Sequence, residues 1–95
     1  MAGRILDVDA RTTLDLLEGK VEGHGFEEEA YAVVNVTTPR EDPDHVKLQV
    51  ELDSTQLEHL DAHAETVRLS AADARALAAE LEAHAETVEG AAADD

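Results

Sequence analysis

The sequence predicts an α+β domain, an antiparallel sheet of four or five strands with one C-terminal helix packed on one face. Three observations carry this expectation. Residues 45–53 alternate without a break, with Val46, Leu48, Val50 and Leu52 on one side and Lys47, Gln49, Glu51 and Asp53 on the other, the period-2 pattern of a half-buried strand. Residues 70–89 are rich in alanine and repeat apolar side chains at helical spacing. Between this strand and an earlier alternating stretch lies Pro39-Arg-Glu-Asp-Pro-Asp44, a polar turn with two prolines that makes the flanking segments a β-hairpin.

In chain order, Ile5–Asp9 reads as a short strand or as the first part of the next one. Thr12–Val21 is expected to be a strand through Leu14, Leu16 and Val21, although Leu17 and Gly19 break its alternation. Gly23-His24-Gly25 marks a turn. Glu29–Thr38 is a second strand, with Ala32, Val34 and Val36 inward and Tyr31, Val33, Asn35 and Thr37 opposite. Ser54–Leu60 suits one helical turn with Ser54 as its cap, and Val67–Leu69 a short last strand. Ser70 followed by Asp73 is a capping-box variant that opens the helix. Ala74, Leu77, Ala78, Leu81, Ala85 and Val88 form its apolar stripe, and Gly90 is the expected stop. Residues 1–90 thus make one domain, and residues 91–95 a frayed acidic tail. Leu17, Tyr31 and Val33 are expected on the second sheet face, where they would form the interface of a homodimer.

The chain carries 23 Asp and Glu against 7 Lys and Arg, a net charge of −16 on 95 residues. Acids spread over the surface of so small a protein lie roughly 15 Å apart, where a like-charge pair in water costs ~0.3 kcal/mol before screening. Tens of such pairs add up to a few kcal/mol in dilute salt, and the repulsion nearly vanishes at 1 M, where the Debye length is ~3 Å. The acids run along the whole length rather than in one cluster. The composition therefore reads as adaptation to concentrated salt, supported by abundant alanine and only two aromatic residues, Phe26 and Tyr31. Its sign opposes nucleic-acid binding, and no basic amphipathic stretch suits an anionic membrane. With no cysteine, the chain has neither a disulfide framework nor a thiolate site. No segment reads as a signal peptide or a membrane span, so a cytoplasmic location is expected.

Candidates for chemistry are few. His59 and His63 are four apart beside Glu58, Asp61 and Glu65; on a helix they would share a face and could ligate a metal, although the intervening Leu60-Asp61-Ala62 lacks the glutamate of the metalloprotease HExxH motif. His24, flanked by glycines ahead of Glu27-Glu28-Glu29, could act as a general base, but no partner nucleophile is identifiable. No cofactor motif is present. The hexapeptide Ala62-His-Ala-Glu-Thr-Val67 recurs as Ala83-His-Ala-Glu-Thr-Val88. The first copy runs into the expected last strand and the second lies in the expected helix.

With Gly23-His24-Gly25-Phe26-Glu27-Glu28-Glu29-Ala30 and the Leu69-Ser70 entry to the helix in view, the chain resembles small haloarchaeal proteins of unknown function. The resemblance implies a haloarchaeal cytoplasm and no assigned activity, so no functional residue is carried over from it. The leading expectation is a small non-enzymatic binding or interaction module, a homodimer. The alternatives are a His-dependent metal-binding protein or small enzyme, and a regulatory accessory protein of the antitoxin kind.

Overall fold

The computed structural model describes Leu6, residues 12–58 and residues 63–93. The described strands are β1 (Leu14–Gly23), β2 (Phe26–Thr37), β3 (Val46–Leu52) and β4 (Glu65–Leu69), followed by the helix α1 (Ala71–Ala93). The strands form one antiparallel sheet in chain order, β1-β2-β3-β4. This is the α+β class that the alternation and the helical spacing predict. The expected strand over Ile5–Asp9 lies outside the described residues except for Leu6.

Local chemistry explains each connection. His24-Gly25 joins β1 to β2 in two residues, and Gly25 has φ 85°, a positive value that only glycine adopts freely at the third position of a tight turn. Phe26 is opposite Gly23, and its ring occupies the space that a Cβ on Gly23 would need. The two-proline segment links β2 to β3, with Asp42 at φ 49°, a conformation that Asp tolerates better than most residues. After β3, a 3-10 turn spans Ser54–Gln56. Its organiser is Asp53, whose Oδ1 accepts from the Thr55 amide at 3.0 Å and the Thr55 hydroxyl at 2.7 Å.

β1 departs from simple alternation. Leu14 pairs with Val34 and Leu17 with Ala32, so three steps on β1 match two on β2. This is a β-bulge, and Leu16 takes it up at φ 52°. Beyond the bulge Leu17, Gly19 and Val21 share a face with Ala32, Ala30 and Glu28, their partners on β2. Before it, Thr13 reinforces the junction: its amide donates to Asn35 Oδ1 at 3.3 Å and its hydroxyl accepts from the Val36 amide at 3.1 Å.

Following the register across the sheet gives two unlike faces. The apolar face holds Leu14, Leu17 and Val21 of β1, Phe26, Ala30, Ala32, Val34 and Val36 of β2, Val46 through Leu52 at alternate positions of β3, and Val67 and Leu69 of β4. The polar face holds Glu18, Lys20, Glu22, Glu27, Glu29 and Tyr31, then Val33, Lys47, Gln49 and Glu51. Gly19 keeps the centre of the apolar face thin, because a Cβ there would stand 3.1 Å from Ala32 Cβ and 3.0 Å from the Ala30 carbonyl oxygen.

The helix begins as expected: the Asp73 amide donates to Ser70 Oγ at 3.0 Å, closing the N-cap. Two features differ from expectation. Gly90 does not stop it, and the helix runs on to Ala93. Nor does α1 lie across the sheet. Its substantial contact with the sheet is with β4 alone, and of residues 71–92 only Ala74 is even half-buried. The reason is the connection. Ser70 is the single residue between Leu69 of β4 and Ala71 of α1, whereas turning a helix back over its own sheet takes a loop of about two or more residues. The radius of gyration is accordingly 15.7 Å, against about 12 Å for a compact chain of this length.

Candidate functional site

The sheet face that the helix leaves uncovered offers, among the described residues, an apolar surface for recognition. Leu14, Val36 and Val67 are each about half exposed on it, while Leu17, Val21, Phe26, Val34, Leu48, Val50 and Leu52 are half-buried. Among the described residues of this face, only Ala30 and Ala32, at its centre, are buried. An apolar surface contiguous over four strands is what marks a protein contact rather than ordinary surface.

The polar face is organised differently. At one end Val33 is 0% exposed and its cross-strand partner Glu51 1%. The Leu6 amide donates to Glu51 Oε1 at 2.9 Å, and Leu6 is itself buried. Leu6 therefore sits against β3 here. At the other end Glu22 and Glu27 stand directly opposite each other, a like-charge pairing that disfavours a strand pair. Lys20 offsets it, with Nζ 3.2 Å from Glu22 and 3.6 Å from Glu27.

The residues expected at a second-face interface are thus separated. Val33 is sealed inside the protein. Tyr31 remains exposed on the polar face, in an open cleft of about 650 Å³ that Glu18, Lys20, Glu29 and Gln56 also line. Leu17 faces the other way, because the bulge carries it to the side of Ala32. The cleft is closed at one edge by Gln56, whose Oε1 accepts from the Tyr31 amide at 2.8 Å. Its charged groups are two carboxylates, Glu18 and Glu29, and Lys20, with no nucleophile set beside a base.

The histidines are dispersed. His59 lies outside the described residues. His63 Nε2 is 3.3 Å from Glu65 Oε1, at the start of β4. His84 pairs with Glu80 one turn earlier on the helix at 3.5 Å, and His24 is exposed at the tip of the first hairpin. His45 Nδ1 is 2.7 Å from Asp44 Oδ1, and Arg68 Nη2 lies 3.3 Å from the same nitrogen. The shorter contact identifies Nδ1 as the donor to the carboxylate. That hydrogen bond, aided by the Asp44 backbone and the positive charges of His45 and Arg68, holds the Asp44 carboxyl below its ordinary value. Among the described residues, no group of three or more His, Asp or Glu side chains is placed to hold a metal ion, and no helix is long and apolar enough to cross a membrane.

These features define a two-faced α+β protein, with an open apolar sheet face backed by an acidic one and a helix that projects from the last strand. The chain belongs to the Family of unknown function (DUF6360), which it matches over residues 1–90. No curated protein and no solved structure matches it.

Proposed function

We propose that the chain is a small non-enzymatic interaction module of a haloarchaeal cytoplasm, working as a homodimer through the apolar face of its sheet. The observation that carries this reading is the open face itself, with Leu14, Val36 and Val67 half exposed around a covered centre at Ala30 and Ala32. Side chains of this kind each contribute about 1.5–3 kcal/mol when fully removed from water, and a single chain, which leaves each about half exposed, realises only part of that stabilisation. The charge supports the solvent part of the reading: a net −16 is self-repulsive in dilute salt and screened in concentrated salt.

Multi-angle light scattering in about 2 M KCl, where the Debye length is below about 3 Å, tests the proposal. The expected mass is twice the 10.2 kDa of the chain, falling to that of one chain in the Val67→Glu variant. A strict monomer up to high protein concentration would remove the homodimer.

A further inference from the structure

We infer that the apolar face is covered by the helix of a second copy, so that α1 of each chain lies across the sheet of the other in a reciprocal two-fold exchange. This rests on the homodimer reading above and specifies which surfaces meet.

The described residues form two apolar surfaces that remain open, and they fit each other. On α1, Leu77, Leu81 and Val88 are exposed, Leu81 to 63% and Val88 to 68%, on one stripe that includes Ala74, Ala78 and Ala85. From Ala74 to Val88 that stripe is about 21 Å long at 1.5 Å per residue. β3, at the middle of the open face, is about 20 Å long at 3.4 Å per residue. Four strands about 4.8 Å apart give a face about 14 Å across, enough for one helix of about 10 Å diameter. The residues at the centre of the face, Gly19, Ala30 and Ala32, are small, so the backbone of such a helix can approach the sheet closely there.

The chain's own helix does not take this place, because Ser70 alone joins it to β4. The opposite side of the sheet is no alternative for it, being acidic and sealed over Val33. Edge-to-edge pairing is blunted on β1 by the bulge at Leu16 and by Asp15, Glu18 and Glu22, devices that guard a sheet edge.

The exposed area points to the same occupant. The chain exposes 7376 Å², whereas a compact monomer of its mass exposes about 5,300 Å². An excess near 2,000 Å² per chain is what an obligate homodimer buries, about 2,000–5,000 Å² over both partners. The rims are acidic on both surfaces, with Glu82 and Glu89 beside the stripe and Glu28 and Glu65 on the face. The exchange is therefore favoured by salt.

Because the chain has no cysteine, single-cysteine variants test the arrangement directly. Leu81→Cys and Val50→Cys are mixed and oxidised in KCl of about 2 M, with Leu77→Cys and Leu48→Cys as a second register. The expected product is a disulfide dimer containing one chain of each kind, more abundant than with either variant alone. Leu81→Glu, which alters a side chain exposed in the single chain, is expected to weaken dimerisation about tenfold or more while the circular dichroism of the chain is retained. A doubly substituted chain that closes on itself at monomer mass would overturn the inference, because the helix would then fold back on its own sheet. So would self-linking of Val50→Cys alone, which means two sheet faces in direct contact, or a dimer indifferent to Leu81→Glu. These last two results leave the homodimer standing, whereas a monomeric wild-type chain removes both.

Discussion

The Leu6 amide donates a 2.9 Å hydrogen bond to Oε1 of Glu51, a β3 carboxylate only 1% exposed. Forty-five residues separate the two, so this contact ties the start of the described chain to the middle of the sheet. Val33, opposite Glu51, is likewise sealed although it lies on the polar face.

Glu51→Ala leaves the buried Leu6 amide without its acceptor, a loss of about 1–3 kcal/mol. For a domain of this size that lowers the melting temperature by roughly 4–8 °C for each kcal/mol. Glu51→Gln keeps an oxygen acceptor at the same position and is expected to lose distinctly less. Thermal unfolding in concentrated KCl, followed by circular dichroism, separates the two variants; equal losses would mean that the carboxylate charge, not the hydrogen bond, matters.

At Leu16 the backbone has φ 52° and the side chain is exposed. An L-residue with a large side chain adopts this conformation at a cost of roughly 1–2 kcal/mol. Leu16→Asn, which tolerates the left-handed region, is expected to raise stability by about 0.5–1 kcal/mol. Destabilisation by this variant would show that the leucine side chain is held by contacts of its own.

Asp44 is held below the ordinary aspartate value, chiefly by the hydrogen bond from His45. A depressed folded value means stability that is present above the unfolded value, about 3.9, and lost as pH falls through the lower folded one. The wild type is therefore expected to melt at a slightly higher temperature than Asp44→Asn at pH 6. The gap closes as acid titrates Asp44, and melting curves between pH 6 and about 2 read it out. A gap constant down to the lowest pH would contradict the assignment. The effect is small because Asp44 is fully exposed.

The melting temperature is expected to climb steeply between about 0.1 and 2 M KCl, as screening removes a few kcal/mol of repulsion among the acids. For this size of domain that corresponds to more than about 10 °C. A flat curve would mean that the carboxylates act locally, in pairs such as Lys20 with Glu22 and Glu27.

Much of the sheet is legible along the chain. β3 follows the unbroken alternation of residues 45–53, and the hairpin before it follows from Pro39 and Pro43. The Ser70 cap is where Ser and Asp three residues apart place it. The adjacent pair Leu16-Leu17 already disturbs the alternation of β1, but nothing local tells a bulge from a slip in register. That distinction exchanges the face on which Leu17 lies. Likewise Val33 reads as a candidate interface residue because its strand has two apolar sides, and no local pattern announces that Leu6 returns to Glu51 beside it. The candidate site changed sides for these reasons.

The repeated hexapeptide separates what the sequence by itself determined from what only the tertiary structure decided. Sequence alone determined the acidity, the alternation of β3, the helix cap and the apolar stripe, because these depend on composition and on neighbours a few residues away. It could not by itself decide the conformation of Ala-His-Ala-Glu-Thr-Val. In the first copy Glu65-Thr66-Val67 pairs with Val50, Gln49 and Leu48, and the Thr66 hydroxyl accepts from Gln49 Nε2 at 3.3 Å. In the second, Glu86-Thr87-Val88 is helical, and the Thr87 hydroxyl donates to the Ala83 carbonyl four residues back at 3.1 Å. Identical side chains offer the same hydrogen-bonding groups. A free edge of β3 gives the first copy a ladder, and a capped run of alanines gives the second a helix. The same distinction governs the open face: the apolar residues are written in the chain, but a one-residue connection at Ser70 determines that the chain's own helix leaves them uncovered.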